Sequence, residues 1–196
     1  MKRRLYLQGF TASVMAPALA RAQVGDARSA LDALRRGRGG LVVAMRHALA
    51  PGTFDPPGFQ PGVCSTQRNL SDEGREQARR IGAWYRERGL APTAVRSSEW
   101  CRCLDTARLA FGKAEPWPVL NSIVRERSTA TAQTQTLRSE LARRAQADAA
   151  GFEVWVTHQV NISALAGSYT GSGEALLLRH EAGRDEPVVI ATLNVA

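Results

Sequence analysis

Three short apolar runs, each ending in polar residues able to do chemistry, constrain this chain more than any other feature. LVVAM (41–45) runs into Arg46 and His47, TAV (93–95) into Arg96, Ser97 and Ser98, and VWV (154–156) into Thr157, His158 and Gln159. Five consecutive apolar residues suit a strand buried on both faces. Helical patterns separate the runs, so strands and helices alternate along most of the chain. That alternation predicts an α/β fold, a three-layer sandwich around a mostly parallel central sheet. In such sheets the ligand crevice lies at the carboxyl ends of the strands, so Arg46, His47, Ser97, Ser98, Arg102 and His158 are expected around one pocket.

DARSALDALRRG (26–37) reads as a helix stopped at Gly37. In LSDEGREQARRIGAWYRERG (70–89), Ser71, Asp72 and Glu73 form a cap and an acidic first turn. Ala78, Ile81 and Tyr85 recur at helical spacing, and Gly89 ends the pattern. EWCRCLDTARLAFG (99–112) and TAQTQTLRSELARRAQADAAG (131–151) predict two more helices, and WPVLN (117–121) a strand. FEVWVTH (152–158) predicts a strand with Val154 and Val156 alternating against Glu153 and Trp155. A short helix near ISALAG (162–167) and strands in GEALLLRH (173–180) and EPVVIATLNV (186–195), with a turn at Gly183, complete the reading. His180 reads as structural. APGTFDPPGFQPGVCSTQRN (50–69) is rich in Pro and Gly, and so long a connection is usually functional.

The first 22 residues have a basic start (Lys2, Arg3, Arg4), a modestly apolar middle and small-residue sites at Ala18, Ala20 and Ala22. This pattern predicts a cleaved signal peptide over 1–22 and a single domain over 23–196, placing the protein in the periplasm or outside the cell. Arg3-Arg4 and Arg21 fit a twin-arginine export route. The apolar stretch is too short and too broken for a membrane span, so no stable membrane insertion is expected. Cleavage lowers the formal charge from +8 to +4. No basic run interleaves with aromatics, which argues against a nucleic-acid partner and leaves an anionic substrate or surface.

Cys64, Cys101 and Cys103 match no zinc spacing, and neither metal nor cofactor is expected. Outside the cytoplasm two of the three can pair. Cys64 lies in the long loop, and Cys101 and Cys103 flank Arg102 on different sides of a helix, so either Cys64 bridges to one of them or all three are inert thiols.

Two arginines and two histidines at one sheet edge repel one another unless an anion belongs there. Planar guanidinium forks match phosphoryl oxygens. Like charge keeps an adjacent imidazole neutral, which is its nucleophilic form, and a hydrogen bond from its other nitrogen to a backbone carbonyl would fix the tautomer.

MRHA, RNLSDEGREQA, SSEWCRCLDTA and VTHQVNI together resemble the successive motifs of the histidine phosphatase superfamily, in its phosphoglycerate-mutase-like branch. The resemblance runs from about Leu41 to about Gly173. It implies that branch's fold, a phosphohistidine intermediate on His47, and a grip on the phosphoryl oxygens by Arg46, Arg102 and His158. Arg68, just before the Leu-Ser motif, either reaches the same pocket or is a solvated arginine at a helix entry. Asp105, one turn from Arg102, reads as its ion-pair partner.

The resemblance breaks where the leaving group needs a proton. The mutases carry Glu in a Leu-Asn-Glu segment, and this chain has Ser122 at that place. Glu126 is the nearest carboxylate, either as general acid or in a surface pair with Arg125 or Arg127. The expected activity is an exported, metal-independent phosphomonoesterase, of histidine acid phosphatase type, acting on a small phosphorylated substrate or a phosphorylated glycolipid. In pattern it is similar to the exported group of lipopolysaccharide core heptose phosphate phosphatases. The alternative is a catalytically silent phosphate- or glycan-binding envelope protein that kept the anion pocket and lost the acid.

Overall fold

The computed structural model describes residues 27–124 and 127–194. The expected signal peptide and Glu126 lie outside the described residues. Six strands form one sheet in the order β3-β2-β4-β1-β5-β6: β1 (Leu41–Arg46), β2 (Ala94–Ser97), β3 (Glu115–Pro116), β4 (Phe152–Thr157), β5 (Ala175–Arg179) and β6 (Val188–Leu193). The first four run parallel, and β5 lies antiparallel to both β1 and β6. The mostly parallel sheet matches the sequence reading.

The helices α1 (Ala27–Arg36), α2 (Asp72–Glu87), α3 (Cys101–Phe111), α4 (Ala130–Gln146) and α5 (Gln159–Ala166) cover the two faces. Val43 and Met45 of β1 pack with Leu34 of α1, Ile81 and Tyr85 of α2 and Ala107 of α3. Val42 and Ala44 face the other way, onto Leu137 and Leu141 of α4 and Ile162 and Leu165 of α5. A period of two thus sends one strand into two cores, which is why the whole of LVVAM is apolar.

Two expectations need correction. The segment 117–121 is not a strand. The third parallel strand is Glu115–Pro116, and a 3-10 turn at Pro118–Leu120 follows, because Pro118 removes a donor that a ladder would use. In β4 the alternation does not mark a solvent face, since all six residues are buried. Glu153 is buried because Arg144 pairs with it, Arg96 lies 3.5 Å away, and the Trp155 indole donates to it at 3.0 Å. A buried carboxylate is tolerable when matched in this way.

Candidate active site

Sheet register puts the polar strand ends side by side. Arg46 is aligned with Thr157 and Ser97 with Val156. Beyond the ladder, His47 N–H still donates to the Thr157 carbonyl (3.0 Å) and Ser98 N–H to that of Val156 (2.9 Å). The peptide frame therefore carries both histidines past the sheet edge together, with ring centroids 5.6 Å apart.

The turn after His47 is held by the sequence motifs quoted above. Ala48 N–H donates to Thr106 Oγ1 (3.0 Å), and Leu49 N–H to Gln77 Oε1 (2.8 Å). The Gln77 amide also donates to the Ser172 carbonyl at 2.8 Å. Gly74 lies so close to this turn that an added Cβ would stand 1.9 Å from the Leu49 carbonyl oxygen. The motif needs glycine there for close approach of backbone to backbone. Nδ1 of His47 meets the Ala48 carbonyl at 2.8 Å. In the neutral ring Nδ1 carries the proton and donates it, leaving Nε2 as the bare nitrogen. Burial, with help from Arg102, Arg68 and Arg46, pulls the His47 pKa down to about 3.

His158 is positioned by a different device. The Asn121 amide donates to Glu99 Oε2 (2.7 Å), which turns Asn121 Oδ1 toward Ser98. That oxygen accepts from the Ser98 hydroxyl (3.1 Å) and from Glu99 N–H (2.9 Å). With its proton committed, Ser98 Oγ accepts from His158 Nε2–H at 2.9 Å. Neutral His158 therefore keeps its lone pair on Nδ1. Burial, then the neighbouring His47 and the arginines, hold its pKa well below the ordinary value.

Arg102, buried on the first turn of α3, does not pair with Asp105, whose partner is Arg75 at 3.4 Å. Its partner is Asp55, a residue the sequence reading passed over. Arg102 Nη1 donates to Asp55 Oδ1 (2.7 Å) and Nη2 to Oδ2 (3.4 Å). Asp55 also accepts from Arg68 N–H (3.0 Å) and the Trp100 indole (3.1 Å). Burial raises the Asp55 pKa, but the bonds from Arg102 and Arg68 outweigh it and hold the carboxyl below its usual range. Asp55 is the one carboxylate between His47 and Asp72, but it lies in a Pro- and Gly-rich loop with no pattern that pairs it with Arg102. Arg68 does reach the pocket, steadied by a hydrogen bond to the Ala50 carbonyl. Arg46 donates to the Thr170 carbonyl at 3.1 Å and to the Tyr169 hydroxyl at 3.4 Å.

The long loop is fastened to the start of α3. Cys64 and Cys101 form the disulfide, while Cys103 stays a buried thiol 3.6 Å from His158 Nε2, its pKa pushed up by burial to about 12. Trp100 occupies the N-cap of α3 without capping it, and Gln67 Oε1 instead accepts from Cys101 N–H (3.0 Å). Phe59 stacks on Trp100 with centroids 5.0 Å apart.

The result is a cavity of about 320 Å³ into which His47, His158, Arg46, Arg68 and Arg102 all face, with Asp55 the single carboxylate among its described lining. Ser122 lines it where the acid of the mutases would fall. The start of α5, at Gln159 and Val160, forms part of the wall and adds the positive end of a helix. Phe54 and Val124 complete the mouth. His180 is absent from this lining and follows β5. Among the described residues no group of His, Cys, Asp and Glu is placed to hold a metal ion. Nor is any described helix long and apolar enough to cross a membrane.

Residues 63–158 match the histidine phosphatase superfamily (branch 1), a segment that ends on His158 and begins after His47. No curated protein sequence matches the chain. Solved structures share the fold. The protein histidine phosphatase SixA, complexed with tungstate, is 13% identical, covers 78% of this chain and 96% of its own, and has a TM-score of 0.53. Phosphoserine phosphatase from Entamoeba histolytica, in complex with 3-phosphoglyceric acid, is 14% identical over 79% of this chain and 97% of its own, with a TM-score of 0.54. A mycobacterial glucosyl-3-phosphoglycerate phosphatase, in a complex with VO3, is 16% identical over 79% and 96%, with a TM-score of 0.52. The architecture is thus the histidine phosphatase, phosphoglycerate-mutase-like fold.

Proposed function

We infer that this chain is a phosphomonoesterase of the histidine phosphatase superfamily, working through a phosphohistidine on His47. One observation carries the reading: a neutral His47, with Nδ1 committed to the Ala48 carbonyl at 2.8 Å, faces one pocket with three guanidiniums. An imidazole tied in this way has one free lone pair, and it faces an anion site.

In the first step Nε2 forms a bond to phosphorus as the ester P–O bond breaks, and the leaving oxygen takes a proton. Arg46, Arg68 and Arg102 hold charge on the three phosphoryl oxygens as it develops, which is electrostatic stabilisation without a metal. In the second step water attacks phosphorus as the P–N bond breaks, the proton of the water returns to the group that protonated the leaving oxygen, and His47 is left as the neutral ring. The lone pair on His158 Nδ1 can accept the proton of a monoanionic phosphoester, after which it donates to the same oxygen.

The proton for the leaving group is assigned to Glu126. Asp55 is a poor donor because four donors hold it as the anion, and a Ser122 hydroxyl is far too weak an acid. Export, read from the first 22 residues, places the reaction in the periplasm or outside the cell. There the sugar phosphates of envelope glycolipids are the preferred substrates, as in the heptose phosphate phosphatases that the sequence resembles. The second reading, a silent phosphate or glycan binder, is favoured by Ser122 in the acid's place.

Hydrolysis of p-nitrophenyl phosphate in the presence of EDTA separates the two. The enzyme turns it over and is inhibited by vanadate, and a binder shows no turnover. Export is tested by fractionating cells that express the full chain. Recovery of a protein 22 residues shorter outside the cytoplasm supports it, and unprocessed protein in the cytoplasm overturns it.

A further inference from the structure

A second cavity, of about 680 Å³, lies beside the first, and Ser122 lines both. The two differ sharply in charge. The catalytic pocket has three arginines, whereas the described lining of the second has no Lys, Arg or His and one carboxylate, Glu99. Its other polar groups are the amides of Asn121 and Gln133 and the hydroxyls of Ser122 and Thr129, set against Phe59 stacked on Trp100. Whatever sits there beside a bound phosphate meets neutral donors and acceptors next to aromatic carbon. A second phosphate or carboxylate would stand by Glu99 with no cation in the described lining to offset the repulsion. A small ammonium group would satisfy Glu99 and leave most of the volume and the aromatic wall unused.

We propose that this cavity is the leaving-group subsite and that it takes an uncharged, polyhydroxylated ring, a sugar whose phosphate lies in the arginine pocket. The proposal rests on the phosphoester reading of that pocket. A ring there presents C–H faces to Phe59 and hydroxyls to Glu99 and the amides, the alternation such a wall can match. Contact with Glu99 also has a route to the chemistry. Glu99 orients Asn121, Asn121 takes the Ser98 proton, and Ser98 fixes the tautomer of His158.

The test is calorimetric titration of the full chain carrying His47→Ala, so that no substrate is consumed. The probes are inorganic phosphate, a hexose 6-phosphate, a hexose 1,6-bisphosphate and O-phosphoethanolamine. The hexose monophosphate should bind about tenfold or more tighter than inorganic phosphate and tighter than the other two. Adding Glu99→Gln should cut that advantage about threefold or more. Glu99→Asp serves in its place if the double variant does not fold by circular dichroism. A monophosphate no tighter than inorganic phosphate, a tighter bisphosphate or phosphoethanolamine, or an advantage indifferent to Glu99 each overturns the subsite. Absence of any phosphate binding overturns it together with the anion pocket. Turnover of p-nitrophenyl phosphate by the unsubstituted protein is scored separately. Its failure removes the phosphatase reading while the titrations still decide whether a sugar phosphate binds.

Discussion

Asp55 spans both ends of the Arg102 guanidinium, at 2.7 and 3.4 Å, so a residue of the long loop is clamped to the arginine that follows the Ser-Ser motif. The pair is buried, and breaking one side of a buried pair leaves an uncompensated charge. Asp55→Asn should therefore lower stability by about 3 kcal/mol. It also frees Arg102 for an external anion. Inorganic phosphate should raise the melting temperature of the variant by more than it raises that of the unsubstituted protein. An equal rise in both would mean that Asp55 does not share Arg102 with the ligand.

The nucleophile makes the most direct prediction. Brief incubation with labelled phosphoester and an acid-free quench should trap a base-stable, acid-labile adduct, and His47→Ala should abolish label and turnover together. Arg46→Ala and Arg102→Ala should each lose about 3 kcal/mol of transition-state stabilisation, the scale for removing one preorganised donor. Label persisting in His47→Ala would place the phosphohistidine elsewhere.

Much of this site was legible because its residues sit where backbone geometry is regular. His47, Arg46 and His158 follow strands whose ends the sheet aligns, and Arg102 occupies the first turn of a helix that a motif announces. Gly74, Gln77 and Thr106 belong to the same motifs, and the structure supplies their reason: all three brace the turn after His47. What sequence could not deliver was anything fixed by a fold-back. Asp55 meets Arg102 across 47 residues of chain, out of a Pro- and Gly-rich loop with no periodicity to read. The choice between Cys101 and Cys103 depended likewise on which side of α3 faces the loop, and that is decided by tertiary packing. Trp117 misled for a similar reason: an aromatic beside Val119 and Leu120 looks like a strand, but Pro118 turns it into a 3-10 segment.

The depressed histidine pKa values set a pH dependence with a definite sign. Between pH 6.5 and about 3 the unfolded chain protonates His47 and the folded chain does not, so stability is full above pH 6.5 and falls as pH drops through that window. The loss is about 1.4 kcal/mol per pH unit for this one group. His158 adds to it in the same direction. Thermal unfolding from pH 7 to 4.5 should show the slope, and His47→Ala should flatten it. Because His47 stays neutral, the acid limb of kcat/KM should not reflect a histidine near 6.5. An NMR titration in which the His47 ring of the folded protein protonates near 6.5 would contradict the burial argument.

The disulfide closes a separation of 37 residues, for which chain entropy gives about 4 kcal/mol of stabilisation. Denatured, unreduced protein should titrate one thiol, that of Cys103. Cys64→Ser should lower the melting temperature and loosen the loop that brings Asp55 and Arg68 into the pocket, raising KM more than it lowers kcat. Three titratable thiols would remove the bridge, and an unchanged KM would detach the loop from substrate binding.

The leaving group decides between enzyme and binder. A sugar alkoxide is a poor leaving group that must receive its proton as the P–O bond breaks, whereas p-nitrophenolate departs with little help. Within the described lining of the catalytic cavity the one carboxylate, Asp55, is held ionised by Arg102, Arg68 and Trp100, so it stabilises an arginine better than it gives up a proton. That leaves Glu126, four residues past the Ser122 that stands in the acid's place. If it is the acid, Glu126→Gln should slow hydrolysis of a hexose phosphate about a hundredfold while changing p-nitrophenyl phosphate turnover little. The hexose rate should also lose the alkaline limb set by a protonated carboxyl. Equal losses on both substrates would assign Glu126 to positioning. No loss on either would return the proton to a group other than Glu126.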